Sequence, residues 1–238
     1  MKGYRISILR HGLTKASEDG RYIGVTDYPL SDRGFDELTM MYEKYNYPRV
    51  QKVYSSPLSR CEQSAKILFP DTYVAKLDNL RELDFGDFED KTAEELLDKP
   101  EYREWLKGGL DNNPPNGENV REMMMRCFCA LDEIIKDMMA EGFTHCGVVT
   151  HSGIIMNMLA CFGLPKFKAQ ELSCKPGEGF EILATAQMWQ LSSTFEILGR
   201  IPDVRETEGD AEGMYGAFDA GFGGEDYYYG DGEDDIQN

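Results

Sequence analysis

Three segments of the sequence place arginine, histidine, serine or glycine directly after an apolar run that is typical of a β-strand. They are Arg10-His11-Gly12, Ser55-Ser56-Pro57 with the nearby Arg60, and Thr150-His151-Ser152-Gly153. The chain has 3 histidines in all, and two of them stand in equivalent positions after a strand. Guanidinium groups present planar forks of donors that match the oxygens of a tetrahedral dianion. If the segments meet in the fold, their two arginines and two imidazoles would therefore form a pocket for such an anion.

The segments can meet only if the strands that precede them lie side by side. Apolar patterning predicts strands over residues 4–9, 51–54 and 146–150, and two later strands over residues 180–190 and 194–201. Helical patterns alternate with the first three strands. This alternation predicts an α/β fold in which a mainly parallel sheet is flanked by helices on both faces. Ligands of such sheets bind at the carboxyl ends of the strands, where the three segments lie.

The predicted helices show apolar side chains at three- and four-residue spacing, which indicates one buried face on each. Ser31 is expected to cap a helix whose buried face comprises Phe35, Leu38, Tyr42 and Tyr45. The next helix has a face made up of Leu58, Cys61, Ala65 and Leu68. Longer patterns predict an amphipathic helix over residues 120–138, with its methionines in the core, and an apolar helix over residues 154–162.

The acidic residues of the chain are concentrated at its end. The sequence has 25 Lys and Arg against 43 Asp and Glu, for a net charge of −18, and residues 203–238 alone carry −11. That segment has a Tyr227-Tyr228-Tyr229 run but no apolar periodicity, so ordering it would bury no hydrophobic face. We predict a folded domain over residues 1–202 and a disordered, acidic, Gly/Tyr-rich tail over residues 203–238. The tyrosines leave open the alternative that the tail binds a partner.

The composition also excludes several classes of partner. A net charge of −18 repels a phosphate backbone, so we expect no nucleic acid partner. No apolar run approaches the roughly 18 residues that a membrane span needs, and the first ten residues lack the apolar core of a signal peptide. The 6 cysteines form no C-x-x-C pair and are too sparse for a disulfide framework. We therefore expect a cytoplasmic protein with reduced thiols and no membrane partner, while the sequence leaves the oligomeric state open.

The segment Leu9-Arg10-His11-Gly12-Leu13-Thr14 resembles the signature of the histidine phosphatase superfamily, in its phosphoglycerate mutase-like branch. Four further blocks resemble that family in the same order. They are GRYIGVTDYPLS at residues 20–31 with Gly34, SSPLSRCEQSA at residues 55–65, LRELDFGDFE at residues 80–89 and VTHSGI at residues 149–154. The resemblance covers nearly all of residues 1–202. It implies a phosphoglycerate mutase-like fold and an enzyme that acts on a small-molecule phosphomonoester without a metal ion or other cofactor.

The resemblance also implies roles for individual residues. His11 would attack phosphorus and carry the phosphoryl group as phosphohistidine. The phosphoryl oxygens would be held by Arg10, Arg60 and His151. Glu82 would protonate the leaving alcohol oxygen and then, as a carboxylate, take a proton from the water that hydrolyses phosphohistidine. Further substrate-binding residues would be Ser17, Gly24 and Ser152.

The sequence departs from the family pattern at three places. Ser17 stands where many relatives have an asparagine that contacts phosphate. Asp90 stands where glycine commonly follows the last glutamate of the Glu82 block. The run Asn116-Gly117-Glu118-Asn119 replaces a frequent Gly-Gly-Glu-Ser. Between the last two departures, residues 91–119 are expected to form an irregular or partly helical insert over the site, of the kind that sets specificity.

The assignment of Glu82 depends on motif alignment. Its neighbourhood contains other carboxylates that the same chemistry could use, namely Asp84, Asp87, Glu89 and Asp90. A model-peptide glutamate titrates near about 4.3, so a proton donor here needs either an acidic optimum or a raised pKa.

Three functions stay open at this point. The leading one is metal-independent phosphomonoester hydrolysis. Because the block at residues 20–31 is similar to that of α-ribazole phosphatases, the expected substrate is α-ribazole phosphate or another small phosphomonoester. The first alternative is a phosphoglycerate mutase, although residues 1–202 lack the long basic insert by which mutases bind the substrate carboxylate. The second alternative is a catalytically idle phospho-ligand sensor or scaffold.

Overall fold

The structure of the protein, a computed structural model, describes residues 2–204. Within this range the strands are β1 (Gly3–Arg10), β2 (Tyr45–Asn46), β3 (Lys52–Ser55), β4 (Val74–Lys76), β5 (His145–Thr150), β6 (Gly163–Leu164), β7 (Gly179–Thr185), β8 (Phe195–Ile201) and β9 (Asp203–Val204). The α-helices are α1 (Lys15–Glu18), α2 (Asp32–Lys44), α3 (Ser59–Leu68), α4 (Ala93–Leu96), α5 (Pro100–Trp105), α6 (Val120–Glu141), α7 (Ser152–Phe162) and α8 (Ala186–Ser192). Short 3-10 helices lie at Asp78–Leu80, Gly86–Phe88 and Ala169–Leu172.

The central sheet of the described chain has seven strands in the order β4-β3-β5-β1-β7-β8-β6. β1 pairs in parallel with β5, and β3 pairs in parallel with both β5 and β4. β7 is antiparallel to β1 and to β8, and the short strand β6 is parallel to β8. The sheet is therefore mostly parallel, as predicted. The order β3-β5-β1 brings the carboxyl ends of these three strands to one edge.

Side chains of the sheet alternate between its two faces and contribute to two apolar clusters. On β1, Ile8 belongs to one cluster and its neighbour Leu9 to the other, and Val148 and Val149 of β5 divide in the same way. Helices α6, α7 and α8 pack on the Ile8 side, whereas α2 and α3 pack on the Leu9 side. This division follows from the two-residue period of a strand. The predicted α/β fold with helices on both faces is confirmed.

The predicted strand over residues 180–190 is wrong in its second half. β7 ends at Thr185, which pairs with Gly3 at the very start of β1. At that point the Thr185 hydroxyl accepts the backbone N–H of Met188 at 3.1 Å and caps α8. Trp189 of this helix is buried in the core. The chain thus changes from strand to helix where its partner strand begins.

The expected buried face of α2 is wrong for Phe35. Ser31 does cap the helix, but the Phe35 side chain is 52% exposed, whereas Leu38 is 1% exposed. Gly34 packs on the backbone of Leu13 so closely that a Cβ atom there would meet the Leu13 carbonyl oxygen at 2.1 Å. This contact turns Gly34 and Leu38 toward the sheet. Because consecutive helical residues differ by about 100° around the axis, Phe35 is directed away from it.

Residues 91–119 are partly helical, as expected, and they contribute to an aromatic cluster. The cluster comprises Tyr22, Phe85, Phe88, Tyr102 and Trp105. Within it, the hydroxyl groups of Tyr22 and Tyr102 are 2.7 Å apart, and the rings of Tyr22 and Trp105 meet edge to face at 5.6 Å. Edge-to-face pairs of this kind add to the stability gained by burial. These ring contacts attach the insert to the segment that contains Tyr22 and to the segment that contains Phe85 and Phe88.

The described chain ends two residues beyond the predicted end of the domain. Asp203 and Val204 form β9 and pair with Tyr45 and Asn46 of β2. The rest of the predicted tail, residues 205–238, lies outside the described residues, so the division into domain and tail stays a prediction. Within residues 2–204, none of the helices combines the length and the apolar character needed to cross a membrane.

Two departures from the family's glycine pattern occupy left-handed backbone positions. Asp90 and Asn116 both have a φ angle of 59°. Glycine adopts such angles without a steric cost, and Asp and Asn tolerate them better than other residues because their short side chains form local hydrogen bonds. Both substitutions are therefore compatible with the backbone path that glycine would take.

This conformation generates a prediction about stability. We expect Asp90→Ala to lower the free energy of unfolding by about 1 kcal/mol, because alanine has a Cβ but no polar group to support a positive φ. Asp90→Gly should stay within about 0.5 kcal/mol of the wild type, since its lower strain is offset by its greater freedom in the unfolded chain. Urea unfolding measures both variants, with Asp71→Ala, at an exposed position without a positive φ, as the control. Equal stability of the alanine and glycine variants would contradict the strain argument.

Candidate active site

The ends of β1, β3 and β5 bring the three predicted segments together. The register of the sheet places Arg10 opposite Thr150. The pairing continues past the strands, since the backbone N–H of His11 donates to the Thr150 carbonyl at 3.0 Å. The His11 and His151 rings consequently lie 5.0 Å apart, measured between centroids. Two histidines separated by 140 positions thus share one site at the sheet edge.

The His11 ring is buried and has a defined tautomer. Its Nδ1 lies 2.6 Å from the carbonyl oxygen of Gly12. Because a carbonyl only accepts hydrogen bonds, Nδ1 carries the ring hydrogen and Nε2 keeps its lone pair. Burial is the main cause that holds the pKa of His11 well below 6.5, and the charges of Arg60 and Arg10 lower it further. At neutral pH, His11 is therefore a neutral imidazole whose Nε2 is nucleophilic.

His151 is fully buried, and both of its ring nitrogens have partners. Nδ1 is 3.3 Å from Nε of Arg60, and it must be the acceptor because a guanidinium group only donates. The hydrogen of Nε2 then donates to the Ser56 hydroxyl, 2.9 Å away. Burial, followed by the Arg60 charge, holds the pKa of His151 well below 6.5. The two histidines are thus neutral together, with their hydrogens on opposite nitrogens.

Arg60 links this imidazole to a neighbouring loop. Its side chain comes from the first turn of α3 and is 1% exposed. Besides the contact with His151, its terminal nitrogens donate to the carbonyls of Thr26 at 2.9 Å and Gly24 at 2.6 Å. These contacts with described residues use three of the five N–H donors of the guanidinium group, which leaves two for an anion.

A single carboxylate holds the loop that supplies those carbonyls. Glu89 accepts the backbone N–H of each of residues 24–26 at 3.0 to 3.2 Å. It also accepts the N–H of Phe85 at 3.0 Å. Hydrogen bonds to an ionised carboxylate are stronger than neutral ones. Glu89 therefore stabilises the loop conformation in which two carbonyls face Arg60.

Arg10 adds a second positive charge at the end of β1. Its guanidinium group donates to the carbonyl of Cys174 at 3.0 Å, and its own carbonyl accepts the N–H of Gly177 at 3.0 Å. The charges of Arg10 and Arg60 both contribute to the lowered pKa values of the two histidines. The positive charge of the site thus resides on arginines, while both imidazoles stay neutral. This combination suits an anion that a neutral nucleophile attacks.

Glu82 is buried at the start of α7. Its two carboxylate oxygens accept the backbone N–H of Leu83 at 2.9 Å and of Gly153 at 3.0 Å. A Cβ atom on Gly153 would lie 2.5 Å from Oε1, so a side chain at this position would displace the Glu82 carboxyl group. Burial raises the pKa of Glu82, while the two N–H groups and the charges of Arg60 and Arg126 oppose that rise. A carboxyl group with a raised pKa can retain a proton and donate it to a leaving group.

The other carboxylates of this stretch have different environments. Asp87 and Asp90 are exposed. Asp84 accepts a backbone N–H within its own turn at 2.8 Å, and Glu89 is occupied by the loop over residues 24–26. Burial therefore distinguishes Glu82 from its neighbours, which the sequence pattern does not.

Arg126 holds the backbone that carries Glu82. From helix α6 it pairs with both carboxylate oxygens of Glu118 at 2.7 Å. Its guanidinium group also donates to the carbonyls of residues 79, 81 and 82, at 3.1, 2.5 and 2.9 Å. This arrangement fixes the segment before Leu83 and keeps a positive charge near the Glu82 carboxyl group.

The three further residues expected to bind substrate are placed differently. The Ser17 hydroxyl donates to the Thr14 carbonyl at 2.9 Å and accepts the Thr14 N–H at 2.9 Å, so it is part of the cap of α1. Gly24 reaches the site through the carbonyl that binds Arg60. Ser152 is the first residue of α7. Substrate contacts of all three stay predictions, as do the catalytic roles of the other site residues.

Ser56 lies in one of the three predicted strand-end segments, and the structure places its hydroxyl against His151. The sequence assigns no role to Arg126, and it indicates Glu89 only as one of several candidate acids. Glu89 and Arg126 act on distant backbone groups, which no local pattern reports. Among residues 2–204, no group of three or more His, Cys, Asp or Glu side chains is placed to hold a metal ion. The metal independence of the reaction stays a prediction.

The strand-end residues and Glu82 all lie within a stretch that matches a known family. Residues 6–195 match the family model of the histidine phosphatase superfamily (branch 1). Because the match covers well over half of the chain, the protein belongs to this superfamily. The resemblance found in the sequence is thereby confirmed, and with it the prediction of a histidine phosphatase-type enzyme.

Individual relatives agree with this assignment. The chain is 27% identical over 169 residues to the adenosylcobalamin/alpha-ribazole phosphatase of Escherichia coli (strain K12). This alignment covers 68% of the chain and 80% of the relative. The chain is also 29% identical over 175 residues to the "Probable phosphoglycerate mutase GpmB" of Enterobacter sp. (strain 638). That alignment covers 71% of the chain and 79% of the relative. The crystal structure of the alpha-ribazole phosphatase from Shigella flexneri matches with a TM-score of 0.67 at 20% identity, over 82% of this chain and 95% of that one. That likeness confirms the phosphoglycerate mutase-like fold.

The neutral histidines predict a loss of stability in acid. In the unfolded chain an imidazole takes up a proton near about pH 6.5, whereas His11 and His151 resist protonation in the folded protein. The free energy of unfolding should therefore fall as the pH drops below that value, by up to about 1.4 kcal/mol per pH unit for each histidine. Urea unfolding of the wild type and of His11→Asn at several pH values checks this. The variant should show a shallower slope, and an unchanged slope would mean that His11 is not held neutral.

Proposed function

We propose that the protein hydrolyses small-molecule phosphomonoesters without a metal ion, through a phosphohistidine on His11. The observation that carries this proposal is the state of the His11 ring. It is buried and neutral, and its Nδ1 hydrogen is fixed on the Gly12 carbonyl, so that Nε2 is the nucleophilic atom. Covalent catalysis of this type divides one difficult displacement into two easier steps.

In the first step, Nε2 of His11 attacks phosphorus and the bond from phosphorus to the alcohol oxygen breaks. The ring gains positive charge as the nitrogen–phosphorus bond forms. The Gly12 carbonyl, 2.6 Å from Nδ1, stabilises that charge through the hydrogen bond. No proton needs to leave the nucleophile before attack, which suits its lowered pKa.

The phosphoryl oxygens are held by Arg10, Arg60 and His151. Arg60 offers the two N–H groups that its contacts with protein do not use. His151 offers the hydrogen of Nε2, which a phosphoryl oxygen takes over from the Ser56 hydroxyl. Fixed donors of this kind stabilise the charge that spreads over the equatorial oxygens in the transition state.

Glu82 acts as the acid in the first step and as the base in the second. With its raised pKa it gives a proton to the leaving alcohol oxygen. The resulting carboxylate then takes a proton from the water that attacks phosphohistidine, which returns His11 to its neutral state. General acid–base catalysis of this kind is typically worth about 10² to 10⁴ in rate.

The insert supports hydrolysis over the phosphoglycerate mutase alternative. A mutase must bind the carboxylate of its substrate with cations. Two basic residues of the insert, Arg103 and Lys107, are exposed and paired with Asp98 and Glu104. The inward side of α5 instead carries aromatic residues. Because an Escherichia coli relative is named as an alpha-ribazole phosphatase, α-ribazole phosphate is the first natural ester to compare with sugar phosphates and phosphoserine.

The central prediction concerns His11. We expect the protein to hydrolyse p-nitrophenyl phosphate in excess EDTA, and His11→Ala to lose this activity because the attacking atom is gone. Rapid denaturation without acid should trap a phosphorylated histidine, since phosphohistidine is labile in acid. His145→Ala, which removes the histidine that bonds to Ser7 rather than to the site, serves as the control and should remain active. A folded wild type that turns over neither p-nitrophenyl phosphate, α-ribazole phosphate nor 3-phosphoglycerate would favour the sensor alternative.

A second prediction distinguishes the proposed role of Glu82 as the acid in the first step from its role as the base in the second. Glu82→Gln should lower kcat for alkyl phosphates by about 10² to 10⁴, because their leaving oxygens need a proton. Phosphorylation by p-nitrophenyl phosphate should fall much less, since p-nitrophenolate leaves without one. Phosphohistidine should then accumulate in the variant because water activation is also slow. Quench-flow measurement of the phosphoenzyme tests this, with Glu94→Gln, at an exposed position of α4, as the matched control. Failure to accumulate would argue against Glu82 as the base.

A further inference from the structure

A cleft opens beside the carboxyl group of Glu82, where α6 and α7 approach each other. Its apolar walls are the side chains of Leu83, Phe85, Met123 and Met156. The enclosed part of the cleft is small, and most of its space opens to solvent. Met123 belongs to α6 and Met156 to α7, and Gly153, two residues after His151, also lines the cleft. The cleft therefore adjoins the end of β5, where the phosphoryl group is proposed to bind.

We propose that this cleft is the leaving-group subsite and that it selects phosphomonoesters of apolar alcohols, with an alkyl chain or an aryl ring next to the ester oxygen. The inference rests on the proposed function, in which Glu82 protonates that oxygen. The carbon attached to the ester oxygen must then lie next to the Glu82 carboxyl group. Because the cleft adjoins this group, the rest of the alcohol enters it.

The walls of the cleft suit carbon better than oxygen. Leu83, Phe85 and Met123 are almost completely buried, and most of the surface exposed in the cleft is apolar. The amide nitrogen of Asn157, which also lines the cleft, already donates to the Gly153 carbonyl at 2.9 Å. A hydroxyl group placed against the methionines would lose its water partners without gaining new ones, which is unfavourable. Methionine side chains also adapt well to flat or irregular apolar shapes.

The charges around the cleft disfavour an anionic alcohol. Glu82 is the ionisable residue in its wall, and no lysine or arginine of the described chain lines it. The positive charge of Arg126 is directed to Glu118 and to the carbonyls of residues 79, 81 and 82. The carboxylate of a phosphoglycerate would therefore meet a carboxyl group and no cation.

The test is a series of substrates that differ only in the alcohol: methyl, propyl and pentyl phosphate, with glycerol 3-phosphate as the hydroxylated counterpart of the propyl ester. We expect kcat/KM to rise by about two- to fourfold per methylene until the cleft is full, the upper value corresponding to about 0.8 kcal/mol per buried methylene. Propyl phosphate should exceed glycerol 3-phosphate by about tenfold, although the hydroxyl groups make glycerol the better leaving group. A flat series, or a preference for glycerol 3-phosphate, would overturn the inference.

Substitutions of Met156 test whether the dependence of kcat/KM on alkyl chain length arises in the cleft. Met156→Gln should flatten the dependence on chain length, because an amide of similar length replaces the thioether. Met156→Leu should preserve it, since the wall stays apolar. Met125→Gln, on the same helix as Met123 but 67% exposed, is the matched control and should behave as the wild type. Thermal unfolding of each variant verifies the fold, and a Met156→Gln variant that is folded and keeps the full slope would reject the cleft as the subsite.

Turnover of p-nitrophenyl phosphate separates this inference from the proposed function. If that ester is hydrolysed with dependence on His11 but the alkyl series is flat, hydrolysis through phosphohistidine stands and the apolar subsite fails. If none of the esters is hydrolysed with dependence on His11, the proposed function itself fails.

Discussion

The burial of the Arg60 guanidinium group is the constraint on which the rest of the site depends. A cation removed from water must be surrounded by acceptors, or its desolvation outweighs what it contributes. The acceptors here are two carbonyls of the loop over residues 24–26 and Nδ1 of His151. Each of them needs its own support. Glu89 holds the loop by its backbone N–H groups, and β5 delivers the imidazole, so a single buried charge ties together the parts that surround the phosphoryl pocket.

The same burial sets the protonation states that the proposed chemistry requires. Removal from water disfavours the charged form of any ionisable group. It therefore lowers the pKa of His11 and raises the pKa of Glu82. The nearby arginines lower both values, which assists the nucleophile and limits the rise for the acid. One environment thus keeps His11 neutral and favours the protonated form of Glu82, and opposite pKa shifts of this kind are common at acid–base sites.

The two sides of the site are built from different parts of the fold. The proposed phosphoryl side consists of strand ends and the first turn of α3, positions fixed by the hydrogen bonds of the sheet. The proposed leaving-group side consists of helices α6 and α7 and of Phe85, whose ring packs in the aromatic cluster with the insert. The second side can change without disturbing the first. This division fits a superfamily whose members bear names as different as alpha-ribazole phosphatase and phosphoglycerate mutase.

Local patterns in the sequence were sufficient to predict the α/β fold, the cap at Ser31 and the meeting of the segments around His11, Arg60 and His151. The reason is that these features depend on spacing along the chain and on the rule that parallel strands share a carboxyl edge. The same patterns do not determine which residues at a distance will pack together. Phe35 fits the helical spacing of a core residue, yet a backbone contact of Gly34 turns it outward.

The identification of the proton donor among neighbouring acidic residues shows the same limit of local sequence patterns. By motif alone, the sequence indicated Glu82 in a run of five carboxylates, and the tertiary structure alone separates it from Glu89. Glu82 is buried next to Gly153, while Glu89 holds a loop more than 60 positions earlier in the chain. Arg126 likewise contacts carbonyls more than 40 positions away. The sequence by itself therefore determined the main strands of the sheet as far as Thr185, the helix cap at Ser31 and the chemical inventory of the site. Only the tertiary structure decided burial, tautomer and pKa, because these depend on groups that long-range packing brings into contact.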